Sequence, residues 1–179
     1  MREVLETVLL TVMIFLAVQA VIRNFRVEGH SMNPNLQTGQ YLVIDRISYQ
    51  FFSNPARGDV IVFNAPNRTD RDYVKRIIGL PGETIELRAG QVYINNELYP
   101  EEYGVFLDQS SLPPETVPVE HVFVLGDNRG NSNDSRHWGL LPQENIVGRA
   151  WLSYWPPETW GLIPNDGPTD AAQLFNLFK

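Results

Sequence analysis

The sequence contains no cysteine and only three histidines among its 179 residues. The absence of cysteine excludes disulfides, thiol nucleophiles and cysteine-ligated metal ions. His30, His121 and His137 lie far apart in the sequence and form no metal-binding pair of the HExxH type, so we expect no zinc site. Positive charge is also scarce: the formal net charge is −7 and no basic run occurs, which argues against a nucleic-acid partner.

A long apolar run occurs only near the N-terminus. Residues 7–22, TVLLTVMIFLAVQAVI, carry no charge, and starting at Val4 gives 19 residues that include Glu6. Because a bilayer-spanning helix needs about 20 apolar residues, we expect residues 1–23 to form one transmembrane helix in the lipid bilayer. Two alternatives stay open: a secretory signal that is cleaved after Ala20, and a helix buried in the core.

The charges beside this run bear on its orientation. Arg23 and Arg26 follow the run, whereas only Arg2 precedes it. Since positive charge tends to stay in the cytoplasm, this bias mildly favours a cytoplasmic location for the rest of the chain.

Residues 24–158 are predicted to form one mostly β domain. Runs of β-branched and aromatic residues alternate with Gly, Pro, Asn and Asp, a pattern typical of short strands. We expect an antiparallel sheet coiled into a barrel-like shape, with turns at Ala89-Gly90 and Asn95-Asn96. The Pro-rich segment 108–118, DQSSLPPETVP, is expected to be a loop. The predicted strands are 41–47, 59–64, 73–78, 84–94, 121–126 and 147–155.

Residues 159–179 are expected to be a C-terminal tail. Its apolar residues fit one face of a short amphipathic helix that could dock on the domain or on lipid, or could stay frayed. These residues are Leu174, Phe175, Leu177 and Phe178.

A serine stands in a turn-forming segment directly after the apolar run. Residues 27–36, VEGHSMNPNL, place Ser31 among Gly, Asn and Pro. Such residues cluster wherever a chain bends, so a simple turn would explain the segment taken alone.

The use of lysine is more informative. The sequence has twelve arginines and only two lysines, Lys75 and Lys179. Lys75 lies in the middle of a predicted strand, YVKRII, where one face must meet the core. Arginine stays protonated in proteins, whereas a buried lysine can lose its proton and act as a general base for a serine hydroxyl. The alternative is a lysine that pairs with a carboxylate such as Asp72.

A third polar segment, GDNRGNSNDSRHWG, occupies residues 126–139. It can be a long loop, or a scaffold whose hydroxyl and carboxylate groups orient other side chains, with an ion pair between Asp134 and Arg136. A Ser31–His137–Asp134 triad is also conceivable, but it would leave Lys75 without an explanation.

Four segments that follow the N-terminal apolar run resemble, in their order, the motifs of the type I signal peptidases. They are VEGHSMNPNL, RGDVIVF, YVKRIIGLPGE and GDNRGNSNDSRHWG. The type I signal peptidases are membrane-anchored serine proteases with a Ser/Lys dyad. The resemblance covers Val27 to about Trp155, apart from a variable excursion over about 83–119.

The resemblance implies a role for each matching residue. Ser31 would be the nucleophile and Lys75 the general base. Apolar side chains would form the pocket for the two small side chains of the substrate. The implied pocket residues are Phe25, Val27, Met32, Leu36, Leu42, Val62, Tyr73 and Val74.

Supporting roles follow from the same resemblance. Ser132 would orient the lysine amine through its hydroxyl. Asp134 would hold two neighbouring arginines, Arg76 and Arg136.

Two positions depart from the common pattern. Some members of the family carry an oxyanion-binding serine where this chain has Gly29, so the Ser31 backbone N–H must contribute more of the oxyanion binding. Asn35 replaces a more frequent threonine, and we expect only a local effect on the turn.

The resemblance implies a monomeric endopeptidase that removes signal peptides from exported preproteins after a small-x-small motif, with no metal ion, nucleotide or other cofactor. It also implies a single-pass protein of the bacterial plasma membrane with an extracytoplasmic catalytic domain, against the mild charge bias. From another functional class, the alternative is an inactive, membrane-tethered β module that binds peptides.

Overall fold

The structure is a computed structural model that describes residues 2–66, 68–101 and 103–165. Helix α1 (Arg2–Val21) contains neither glycine nor proline, which favours an uninterrupted helix. Among the described residues, no helix combines the length and the apolar character needed to cross a bilayer. Apolar side chains of α1 are exposed at Val4, Leu5, Val8, Leu9, Leu10, Val12, Met13, Ile14 and Phe15.

Most of the regular secondary structure in the described chain after α1 is β structure, as predicted. Strands of the larger sheet are β1 (Ile22–Arg26), β2 (Tyr41–Asp45), β3 (Val60–Ala65), β4 (Arg68–Gly79), β9 (His121–Leu125), β10 (Leu141–Pro142), β11 (Ile146–Trp155) and β12 (Gly161–Leu162). Strands of the smaller sheet are β5 (Thr84–Arg88), β6 (Gln91–Ile94), β7 (Glu97–Leu98) and β8 (Leu112–Thr116).

Both sheets are antiparallel. The larger sheet has the order β1-β2-β11-β3-β4-β9-β10, with β12 paired to β11, and the smaller one has the order β7-β6-β5-β8. The turns expected at Ala89-Gly90 and Asn95-Asn96 connect β5 to β6 and β6 to β7. All four turn residues have positive φ, which is typical of tight hairpin turns.

Strand β8 corrects the expectation of a loop over 108–118. Two of its residues, Pro113 and Pro114, argue against a strand on propensity alone. However, β8 is an edge strand that pairs only with β5, and an edge tolerates missing N–H donors.

The remaining helical segments are short. They are a π-helix (Ser48–Phe52), three 3₁₀ turns (Arg129–Asn131, Gln143–Asn145 and Pro157–Thr159) and α2 (Ser135–Trp138). Strand β2 ends at Asp45, before the predicted residue 47, because the Asp45 carboxylate accepts hydrogen bonds from the backbone N–H groups of Ile47 and Ser48.

Three apolar clusters form the core, and the first cluster lies between the turn after β1 and strands β2, β3, β4 and β11. Its buried members are Val27, Met32, Leu36, Leu42, Ile44, Val60, Val62, Val74, Ala150 and Ile163. The second cluster supports the smaller sheet, and the third packs β3 and β4 against β9 and β10.

The start of the expected C-terminal tail packs on the domain. Strand β12 pairs with β11, Ile163 is buried, and the Asn165 side chain accepts a hydrogen bond from the Val60 N–H at 2.9 Å. Residues up to 165 therefore belong to the packed structure. The predicted amphipathic helix at 174–178 lies outside the described residues.

Candidate active site

The turn after β1 positions Ser31. Gly29 has φ +89°, a conformation that suits glycine, and starts the turn. Met32 and Leu36 follow Ser31 and are each 1% exposed, so they fix the turn on the first cluster. The Leu36 N–H donates to the Met32 carbonyl at 2.8 Å and closes the turn.

The loop after β9 holds this turn from the other side. Asn128 donates to the Ser31 carbonyl through its backbone N–H at 2.9 Å and to the His30 carbonyl through its side chain at 3.1 Å. Gly126 permits this approach, because a Cβ at that position would lie 2.5 Å from the Ser31 carbonyl oxygen. The turn that carries Ser31 is therefore fixed by hydrogen bonds to the loop after β9 as well as by apolar packing.

Strand β4 brings Lys75 to Ser31. The Lys75 Nζ lies 2.7 Å from Ser31 Oγ and donates to the Val74 carbonyl at 2.8 Å. The residue is only 4% exposed. The alternative partner, Asp72, instead binds other residues. The two side chains to which the resemblance assigns the roles of nucleophile and general base thus lie in hydrogen-bond contact.

Burial lowers the pKa of Lys75 from 10.5 to about 8, because the cation loses its hydration. The negative charges of Asp134 and Asp127 act in the opposite direction and raise this pKa. With a pKa of about 8, roughly a tenth of the enzyme carries a neutral amine at pH 7. That amine is in hydrogen-bond contact with the hydroxyl that it can deprotonate.

The next residue, Arg76, is held as a permanent cation. It is fully buried and donates to Asp127 through Nε at 3.0 Å and Nη2 at 2.9 Å. Its Nη1 donates to the carbonyls of Gly58 and Pro164. The resemblance assigned Arg76 to Asp134, whereas this bidentate ion pair is with Asp127.

Asp134 binds Arg136, as expected. Arg136 donates to both carboxylate oxygens of Asp134, through Nε at 2.8 Å and Nη2 at 2.9 Å, and to Asp108 through Nη1 at 2.8 Å. His137 is 57% exposed and lies 3.9 Å from Asp134. Because Lys75 occupies the base position beside Ser31, the geometry does not support a His137 triad.

Ser132 lies beside the turn that carries Ser31. A Cβ at Gly126 would come within 2.2 Å of Ser132 Oγ and 2.5 Å of the Ser31 carbonyl oxygen, so both groups flank Gly126. The Ser132 hydroxyl is buried and has no hydrogen-bond partner among the described residues. Its role in orienting Lys75 stays a prediction.

Asn35 contacts groups far outside its own turn, whereas we expected only a local effect on that turn. Its Nδ2 donates to the Gly104 carbonyl at 2.7 Å and to Asp127 Oδ2 at 2.8 Å. Since Asp127 also binds Arg76, Asn35 connects the turn that carries Ser31 to strand β4.

An open cleft of about 600 Å³ leads away from Ser31 and Lys75, between β1 and β4. Of the implied pocket residues, Phe25, Tyr73 and Val74 line this cleft. The others are buried beneath it in the first cluster: Val27, Met32, Leu36, Leu42 and Val62.

Several polar residues of the cleft were not predicted to be site residues. Most are direct neighbours of predicted site residues, so strand alternation and proximity to the motifs are the signals that could have found them. They are Asn24, Glu28, His30, Arg71, Asp72, Asn131 and Asn133. Within the described residues, no group of three or more His, Asp or Glu side chains is arranged to hold a metal ion.

Known proteins resemble this chain over most of its length. Probable signal peptidase I-2 of Synechocystis sp. is 35% identical, over 96% of this chain and 81% of that protein. Probable signal peptidase I-1 of the same organism is 40% identical, over 92% and 89%. Signal peptidase I of Leptolyngbya laminosa is 37% identical, over 91% and 84%. The sequence profile described as signal peptidase, peptidase S26, matches residues 1–155. With its serine and lysine in hydrogen-bond contact, the chain belongs to this family of serine endopeptidases, the signal peptidases of peptidase family S26.

Proposed function

We propose that this chain removes N-terminal signal peptides from exported preproteins by cutting after a small-x-small motif. The observation that carries the proposal is the 2.7 Å contact between Ser31 Oγ and Lys75 Nζ at the end of an open cleft. The names of the similar proteins support the choice of substrate class.

The reaction begins with a neutral Lys75. Its amine takes the proton of the Ser31 hydroxyl while Oγ attacks the scissile carbonyl carbon. The Ser31 backbone N–H, in a turn that starts at Gly29, stabilises the oxyanion. Lys75 then gives its proton to the leaving amine, and the signal peptide stays bound to Ser31 as an ester.

The same lysine completes the cycle. It takes a proton from a water molecule, whose oxygen attacks the ester carbonyl. Ser31 Oγ leaves and recovers the proton from Lys75, so the enzyme returns to its starting state. Ser132 orients the amine in both half-reactions, and its unpartnered, buried hydroxyl beside the Ser31 turn supports this role.

The substrate lies extended in the cleft, as a strand added beside β1 and β4. Its two small side chains bind against the cleft wall of Phe25, Tyr73 and Val74, backed by the first cluster. A small apolar side chain offers no polar group to bind, so a close apolar wall selects it by size.

The enzyme acts as a monomer anchored in the bacterial plasma membrane through its N-terminal segment, with the catalytic domain on the extracytoplasmic face. The exposed apolar side chains of α1, from Val4 to Phe15, support contact with lipid. Carbonate extraction of membranes tests the anchor, and external protease on intact spheroplasts tests the orientation. Release by carbonate, or a catalytic domain protected from the protease, would contradict this location.

Cleavage of an Ala-x-Ala preprotein in detergent by purified full-length chain tests the proposed function. The wild type is expected to cut, whereas Ser31→Ala and Lys75→Arg should lose at least about 10³-fold in kcat/KM. His137→Ala is the matched control and should cut like the wild type. An inert wild type would favour the peptide-binding module, and an active Lys75→Arg would refute the general-base assignment.

A further inference from the structure

The cleft is bounded by two strand edges. Within residues 2–66, 68–101 and 103–165, strand β1 pairs only with β2, and β4 pairs with β9 only from Arg76 onward. In the described part of the chain, the outer edge of β1 and the edge of β4 over residues 72–75 therefore have no partner strand. Both edges line the cleft, so a bound peptide must run between them.

One ion pair crosses this cleft at the end far from the nucleophile. Arg23 Nη2 on β1 lies 3.1 Å from Asp72 Oδ2 on β4. Because β1 and β4 are not neighbours in the sheet, the contact spans the open cleft. We call Arg23 and Asp72 the distal ion pair.

The two partners differ in how firmly they are held. Asp72 accepts a hydrogen bond from Asn64 of β3 at 2.7 Å, and its side chain is 18% exposed. The Arg23 side chain is 50% exposed. A peptide can therefore displace Arg23 from the ion pair while Asp72 stays in place.

The position of the distal ion pair along the cleft is set by strand geometry. Asp72 precedes Lys75 by three residues on β4, which corresponds to about 10 Å at 3.3 Å per residue. An extended peptide with its scissile carbonyl at Ser31 therefore brings about its fourth and fifth residues before the cut to Arg23 and Asp72.

We propose that the distal ion pair is a specificity determinant that selects polar residues at the fourth and fifth positions before the cut. A polar side chain there can accept hydrogen bonds from Arg23, whereas an apolar side chain removes water from both charges and offers no hydrogen bond in return. The distal ion pair thereby fixes how far before the cut the apolar segment of a signal peptide must end. This inference rests on the proposed function.

Two model preproteins with the same Ala-x-Ala site and the same mature part test the proposal. They carry either two serines or two leucines at the fourth and fifth positions before the cut. The ratio of kcat/KM for the serine and leucine substrates is measured on one enzyme sample, so the amount of folded enzyme cancels. The enzymes are the wild type, Arg23→Leu, Asp72→Asn, Arg23→Lys and Arg46→Gln.

The wild type should prefer the serine substrate by about tenfold. Arg23→Leu and Asp72→Asn should reduce the preference below about threefold, whereas Arg23→Lys keeps the cation and should keep the preference. Arg46→Gln removes an exposed arginine outside the cleft and is the matched control. An equal ratio in the wild type and Arg23→Leu would overturn the inference. A wild type that cuts neither substrate would instead overturn the proposed function.

Discussion

The two faces of strand β4 present two adjacent buried cations, Lys75 and Arg76, whose hydrogen-bond partners differ. Lys75 is 4% exposed, and its hydrogen bonds go to two neutral oxygens, Ser31 Oγ and the Val74 carbonyl. Arg76 is fully buried but is bound in bidentate fashion by Asp127, and its guanidinium lies 3.9 Å from the centre of the Tyr103 ring. The face with Lys75 is the proposed catalytic face, and the face with Arg76, the structural face, joins strand β4 to the loop after β9.

The difference shows what decides the fate of a buried positive charge. Removing a cation from water costs free energy, and a carboxylate in contact offsets that cost. Arg76 has such a carboxylate and stays charged. Lys75 has no comparable contact within the described residues, so its pKa falls to about 8 and its neutral form becomes available as a base. The position of a carboxylate therefore distinguishes Arg76, which stays charged, from Lys75, the proposed general base.

Removing the carboxylate from the structural face should have the largest effect on stability. Asp127→Ala removes the bidentate carboxylate that binds the buried Arg76 and should lower the free energy of unfolding by about 3–5 kcal/mol. Urea denaturation measures the change. Asp72→Ala is the control, because its partner Arg23 is half exposed, and it should cost no more than about 1 kcal/mol. Equal losses in the two variants would remove the distinction between the faces.

On the proposed catalytic face, Lys75 should make the free energy of unfolding depend on pH, because folding lowers its pKa. Its pKa is about 8 in the folded state and 10.5 in the unfolded state, so the unfolded state binds more protons between these values. Below pH 8 the folded wild type therefore bears the full free-energy cost of burying a charged Lys75. This cost disappears as the pH rises to 10.5. Relative to Lys75→Met, its free energy of unfolding should rise by about 3 kcal/mol, at 1.36 kcal/mol per pKa unit.

Urea denaturation of the wild type and Lys75→Met at pH 7 and pH 10.5 measures this difference. All other titrating groups are common to both proteins, so their contributions cancel. A constant difference across this range would show that folding does not change the pKa of Lys75.

The carboxylates behind Lys75 should set the pH dependence of catalysis. Asp134 raises the pKa of Lys75, so Asp134→Asn should lower that pKa and move the acid limb of kcat/KM to lower pH, by up to about one unit. The position of a limb does not depend on the amount of active enzyme. Asp108→Asn removes another carboxylate from Arg136 and should leave the limb unmoved. A limb that moves to higher pH in Asp134→Asn would refute this electrostatic account.

Some of this arrangement could be predicted from local sequence. The β-branched runs predicted most strands, and strand alternation put Lys75 and Arg76 on opposite faces of YVKRII. The scarcity of lysine singled out Lys75, and the order of the motifs linked it to Ser31. These inferences need only near neighbours in the chain or a family pattern.

Other features depend on distant parts of the chain and could not be predicted in this way. The partner of Arg76 follows from the register of β4 against β9, in which Arg76 faces Leu125 and Asp127 follows two residues later. Strand β8 forms only because β5 offers it an edge, against the local preference of its prolines. The Arg23–Asp72 contact requires that β1 and β4 meet across the cleft without pairing.

Asn35 gives the finest test, because it links the two faces of β4. Its Nδ2 donates to Asp127, which holds Arg76, and to the Gly104 carbonyl. A threonine hydroxyl can donate only one hydrogen bond, so Asn35→Thr should cost about 1 kcal/mol of stability. It should also lower kcat a few-fold at unchanged KM, because the Ser31 turn is then held less firmly against Lys75.

The exposed Asn54 provides the matched control, and Asn54→Thr should change neither stability nor kcat. If Asn35→Thr loses stability but keeps the wild-type kcat, Asp127 supports the fold alone and the two faces of β4 act independently. If kcat falls together with stability while KM stays constant, the contacts around Arg76 also keep Ser31 within reach of Lys75. The two faces of β4 would then differ in the charge state of their cations but would be coupled through the hydrogen bonds of one side-chain amide, that of Asn35.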